Sequence, residues 1–421
     1  MHPEQSDPLD LQKVKVIDQH CHLMPNAANQ FTREFFIRAM SLESYNPDYL
    51  ISQPLMDRYL KSSLNERSSL DQTYGVREVL EASERSGETT LLFKESIKQL
   101  AKFLRVPYDF SKVLEARNRR AASNYSDYAE ELFKDAGIYT LVVSDHPYLP
   151  YTEPAAFRPA ILKHKLVLPA LIFNALDEAS SFSEATSKFL PTLEECLGQK
   201  GFVGIKSMIA YGGSRRGSGL AIGNVDESTA AKEFSLYKER KGSVIGQQIK
   251  GLLDYFHCLA LKEAIRFRRP FEFHTGIGDT DVLADACNPM LLVGLLQDEE
   301  IRKAKIILLH GGYPYVAEAG WMTHFFPNVY LDSSIVYFTH FLGATRRMEE
   351  MLEMAPYSKL LYSSDGMVPE LQWFCARFAK RVMSAVLERL IKAGTLDDSE
   401  ARDLADSYFH ANAKKLYSLP D

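Results

Sequence analysis

The sequence predicts an α/β fold, a (β/α)8 TIM-type barrel with a helical insertion after the first strand. Three observations carry the prediction: eight short apolar runs rich in β-branched residues, helical stretches that join them from Ile138 onward, and polar residues at the ends of several runs. Residues 1–421 then form one barrel, and residues 26–135 are an insertion or cap within it.

The first run, residues 14–22, ends in His20 and His22. Side chains alternate along a strand, so these two histidines share a face about 7 Å apart. From 26 to 135 no convincing strand is present, and residues 76–80 and 91–104 carry apolar residues at helical spacing. The basic stretch Arg117, Arg119 and Arg120 reads as a solvated helix face, with one arginine turned to an anionic substrate as the alternative. The remaining strands are expected at 139–145, 165–172, 202–208, 271–276, 305–311, 329–334 and 359–365. Pro169 weakens the third of the eight, because proline removes a ladder donor. Residues 212–219 are glycine-rich but lack Walker spacing, so they read as a loop. A long amphipathic helix at 371–390 and a closing helix at 409–417 complete the chain.

Composition narrows the function classes. With 46% hydrophobic and 25% charged residues and a net charge of -6, the chain resembles an ordinary globular protein, and nothing in its scattered Lys and Arg suggests nucleic acid as a partner. Cys21, Cys196, Cys258, Cys287 and Cys375 are odd in number and widely spaced. They suggest neither a disulfide framework nor a zinc ribbon, and a reducing, cytoplasmic location is expected. Residues 1–10 lack the apolar core of a signal peptide, and no apolar run approaches membrane-spanning length, so no membrane partner is expected. A homo-oligomer, most simply a symmetric dimer, is expected.

The polar residues at the strand ends form a constellation. His20 and His22 end the first strand, Lys206 lies near the end of the fourth, and His274, His310 and Asp365 end the fifth, sixth and eighth. A lone histidine in such a place is ordinarily a hydrogen-bonded core residue. Six polar groups at one barrel mouth are not explained by packing, since each costs about 1–3 kcal/mol if buried without a partner. Three imidazoles and one carboxylate with an open position suit a catalytic divalent ion, zinc first, which lowers the pKa of a bound water toward about 7. Asp365 is placed to take the proton of the attacking water, and His310 to orient or protonate the reacting group.

These residues resemble the amidohydrolase superfamily, and within it the amidohydrolase-related branch typified by the N-terminal domain of FluG-type, glutamine-synthetase-like proteins. The resemblance rests on the segments 18–22, 204–207, 274–279 with Asn288 and Pro289, 309–314, and 363–365 with Pro369 and Glu370. It implies that His20, His22, His274 and Asp365 hold the metal, with His310 beside them in catalysis or on a second ion. One metal per chain is the expectation; two would follow if Lys206 is carboxylated, and otherwise Lys206 is free to hold a substrate carboxylate or oxyanion. The implied activity is hydrolysis of an amide or related C–N bond of a small, carboxylated metabolite, with γ-glutamyl compounds as first candidates. Non-oxidative decarboxylation, known in the same branch, is the alternative.

Overall fold

The structure, a computed structural model, describes residues 9–22, 30–41, 50–52, 55, 58–59, 62–145, 161–240, 243–339 and 341–420. Residues 1–8, on which most of the N-terminal reading rests, and 26–29, where the expected insertion begins, lie outside that set. Eight strands pair in chain order: β1 Val16–Cys21, β2 Ile138–Asp145, β3 Ile161–Val167, β4 Gly204–Ser207, β5 Phe271–Phe273, β6 Ile306–Leu308, β7 Val329–Asp332 and β8 Leu360–Leu361. Every pairing is parallel. The TIM-type barrel expected from the sequence is therefore the fold, with helices on the connections.

One strand lies elsewhere than expected. The third occupies Ile161–Val167, not 165–172, and Leu168–Glu178 is a helix with Pro169 in its first turn. Proline is favoured there because its missing N–H would be unpaired in any case. The residue that counted against a strand marks the start of a helix.

Six described helices lie between β1 and β2: Arg33–Ser41, Leu64–Tyr74, Val76–Thr89, Leu91–Leu104, Phe110–Ser123 and Tyr125–Ala136. Thr90, Asp109 and Asn124 each cap the helix that follows, accepting from Phe93, Lys112 and Asp127 N–H. In Leu91–Leu104 the buried residues Leu92, Phe93, Ile97 and Leu100 fall on one stripe, each contributing about 1.5–3 kcal/mol on burial. Gly137 leads into β2 at φ 74°, where a Cβ would meet Val14 O and Lys380 Nζ, both at 2.9 Å.

At the end of the chain, Asn412–Tyr417 packs against the barrel's inner apolar layer, where Leu416 and Tyr417 meet Ile17, Val142, Ile307 and Leu361. All five cysteines are free and buried. Among the described residues no helix is long and apolar enough to cross a membrane.

Candidate metal centre

The seam between β8 and β1 builds the site. Asp365 N–H donates to the His20 carbonyl and His22 N–H to the Gly366 carbonyl, both at 2.9 Å. These two bonds carry the segment after β8 across the end of β1. Asp365 Oδ1 then lies 3.2 Å from His20 Nε2 and 3.4 Å from His22 Nε2. The two rings meet edge-on with centroids 5.6 Å apart. His20 is buried, whereas the His22 side chain is 43% exposed, so the cluster opens on one side. Asp365 takes left-handed backbone at φ 53°, a conformation that costs about 1–3 kcal/mol and that aspartate tolerates better than most residues. Burial raises its carboxyl pKa, but His310, His20 and His22 outweigh that effect and hold it well below the usual carboxylate range.

Donor atoms of His20, His22 and Asp365 all lie within 4.8 Å of one another. The fit to a divalent ion is tested by His20 Nε2, which is buried and makes no hydrogen bond even though Asp365 is close. A buried nitrogen without a hydrogen-bond partner, facing a second imidazole and an ionised carboxylate, is a set that zinc and similar ions suit. The residues fit the group.

His274 and His310 stand beside that trio rather than within it. His274 Nδ1 is 2.9 Å from His310 Nε2 and 3.2 Å from the Tyr211 hydroxyl, and its Nε2 is 3.0 Å from Ile277 O. His310, at φ 67°, continues through Nδ1 to Ser334 Oγ at 2.7 Å, and Ser334 donates to Asp332 Oδ1 at 2.6 Å. Burial holds both rings well below the usual histidine pKa, so both are neutral at pH 7. Four contacts run from Ile277 O to Asp332, and two neutral rings with one hydroxyl supply three hydrogens. A cation on His274 Nε2 in place of the Ile277 contact would settle the count. Gly278 leaves room beside this nitrogen, since a Cβ there would lie 2.6 Å from it.

Lys206, on β4, pairs in register with Glu272 on β5. Burial lowers its pKa to about 8. Among the described residues its ammonium has no hydrogen-bonded partner.

Sequence reasoning missed several neighbours. Lys165 and Glu272 form a fully buried ion pair at 2.6 Å directly beneath His20. Glu272 had a signal, a charged residue inside the apolar run that leads to His274; Lys165 was hidden by the misplaced third strand. Tyr211 lies in a glycine-rich loop and had no signal. The arginine run also divides in an unexpected way. Arg117 is fully buried against Glu370 at 2.6 Å and is not part of a solvated face, whereas Arg119 and Arg120 make exposed ion pairs with Glu115 and Glu131.

An eight-stranded parallel barrel whose strand ends gather two histidines and an aspartate defines the class, a barrel with a candidate cation site at its carboxyl mouth. A family model described as "Amidohydrolase" matches residues 184–419, more than half of the chain, and the chain belongs to that family. Members of the family usually bind divalent metals. Protein fluG of Emericella nidulans is 26% identical over 242 residues, covering 55% of this chain and 27% of that protein, so the chain spans about a quarter of the length of this curated relative. A crystal structure from Lactobacillus casei ATCC 334, proposed to be a metal-dependent hydrolase, matches at TM-score 0.76 and 22% identity over 97% of this chain and 96% of that one. The uronate isomerase of Thermotoga maritima matches at TM-score 0.66 and 13% identity, over 96% and 95% of the two chains. These likenesses establish the fold.

Proposed function

We propose that the protein is a metal-dependent hydrolase that cleaves an amide or related C–N bond of a small, carboxylated metabolite. The observation that carries this reading is the unpartnered His20 Nε2 converging with His22 Nε2 on the ionised Asp365. His20, His22 and Asp365 would hold one divalent ion, zinc first, with His274 completing the set. Bound there, the ion supplies Lewis acidity, lowering the pKa of a coordinated water toward about 7 and polarising a substrate carbonyl. Asp365 remains ionised and accepts the proton of the attacking water through its carboxylate. The proton taken by Asp365 passes on to the leaving nitrogen, while His310, neutral and held by Ser334, orients the reacting group. The Lys206 ammonium offers a counter-charge for a substrate carboxylate or oxyanion.

A panel of carboxylated amides, γ-glutamyl compounds first, assayed for released ammonia or amine tests the reading. Amine release that depends on added metal is expected. Carbon dioxide release would replace hydrolysis with decarboxylation. Because a barrel of similar fold is a uronate isomerase, uronates belong on the panel, and their interconversion without amine release would overturn the proposal.

A further inference from the structure

His20 Nδ1 faces two groups of opposite demand at the same distance. Glu272 Oε2, an acceptor, is 2.9 Å away, and Lys165 Nζ, a donor, is also 2.9 Å away. Ser144 Oγ is farther, at 3.5 Å. A neutral imidazole carries one hydrogen, so the choice made at Nδ1 decides what Nε2 can do on the other side of the ring. If Lys165 donates to Nδ1, the hydrogen lies on Nε2 and no cation can bind there. If Nδ1 donates to Glu272, the Nε2 lone pair is free.

The surroundings favour the second state. Lys165 has two nearer acceptors, Glu272 Oε1 at 2.6 Å and Gln19 O at 2.7 Å. Glu272 Oε1 is also taken by the Tyr417 hydroxyl, which reaches in from the last helix and lies 2.8 Å from Gln19 Oε1. Oε2 has His20 as its hydrogen-bonding partner and no other among the described residues. A fully buried carboxylate oxygen left without a donor is costly. Nε2, on the other side of the ring, lies 3.2 Å from Asp365 Oδ1 and has no hydrogen-bond partner among the described residues.

We propose that Glu272 is the positioning residue of His20: Oε2 takes the Nδ1 hydrogen and so frees Nε2 for a cation, while Lys165 and Tyr417 pin Oε1. The inference rests on the reading of His20 as a metal ligand. It makes a residue four positions from the chain's last, Tyr417, part of the support of the metal centre.

The test is the tautomer of His20 in metal-free protein, read from the side-chain 15N shifts of histidine-labelled full-length chain and assigned by loss of the signal in His20→Gln. The hydrogen is expected on Nδ1; a hydrogen on Nε2 overturns the proposal. In Glu272→Gln the amide oxygen must face the Lys165 and Tyr417 donors, which turns the NH2 toward Nδ1. The hydrogen should then move to Nε2, and Zn2+ affinity, measured by competition with a chromophoric chelator, should fall about 10- to 100-fold. Tyr417→Phe should keep the wild-type tautomer and weaken Zn2+ by less than about tenfold. An unchanged tautomer in a folded Glu272→Gln protein overturns the proposal; if that variant does not fold, the wild-type spectrum decides alone. A wild-type chain with Nδ1–H but no affinity for Zn2+ would support the positioning role and overturn the metal-dependent function instead.

Discussion

Arg117→Met should be among the most destabilising single changes in the chain, and the structure sets its size. Arg117 Nε lies 2.6 Å from Glu370 Oε1 with both side chains fully buried, Nη1 donates to Asn118 Oδ1 at 3.1 Å, and the guanidinium is 3.6 Å from the centre of the Phe31 ring. Removing one partner of such a pair costs about 3–5 kcal/mol, chiefly because the other charge is left buried. Glu370 is in the first turn of Pro369–Lys392, where the helix dipole returns about 0.3–1 kcal/mol to its carboxylate, too little to offset the loss. At 1.4 kcal/mol per factor of ten, the unfolded fraction should rise by roughly two to three and a half orders of magnitude.

Urea unfolding followed by tryptophan fluorescence reads this directly, because Trp373 lies one turn from Glu370 and is buried. The companion Arg117→Met/Glu370→Leu removes both charges and should recover most of the loss, since a buried pair exchanged for apolar residues is often neutral. A single variant within about 1 kcal/mol of wild type, or a double variant no better than the single, would refute the reasoning.

Elemental analysis should find one divalent ion per chain, lost in His20→Ala and in His22→Ala; a value near two would make Lys206 a carboxylated bridge. His310→Ala should keep the ion and lower kcat by about 10²- to 10⁴-fold, and loss of the ion would make His310 a ligand instead. His257 is buried between Leu253 O at 2.7 Å and Ser207 Oγ at 2.9 Å, and burial lowers its pKa to about 4. Between its unfolded value near 6.5 and about 4 the unfolded chain binds more protons, so acid should cost about 2 kcal/mol of stability at pH 5, and His257→Gln should flatten that slope in urea midpoints. Light scattering should show a homo-oligomer, and a mass near the monomer's 47.7 kDa would refute it.

What the sequence revealed follows from periodicity. Apolar runs ending in His20, His22, His274, His310 and Asp365 could be read because a strand end is a local feature, and a helix such as Leu91–Leu104 because its buried stripe repeats within the element. The partners of those residues depend on register. Lys206 lies opposite Glu272 only through the β4–β5 pairing, and Tyr417 reaches Glu272 only because the last helix packs into the barrel. No local pattern encodes a contact across 145 residues. Arg117 failed differently: a basic run on a helix is ordinarily solvated, and what buries its first member is the fit of one helix onto another, set by Phe31 and Glu370 far away in the chain.

Asp365 shows why these distant contacts matter to the site. Its carboxylate is fixed at the backbone by the seam bond to His20 and by a left-handed conformation that leaves little freedom of adjustment. Gln372 bonds the carbonyls of His22 and Gly366, tying the segment after Asp365 to the segment after β1. Five residues beyond Asp365, Glu370 is clamped by Arg117 from a helix between β1 and β2. The same stretch of chain therefore receives one anchor from the barrel and one from those helices. A change that loosens Arg117 should shift Asp365 relative to His20 and His22 before it unfolds the barrel, so metal affinity should respond to Arg117→Met at urea concentrations where the fluorescence still reports the native fold.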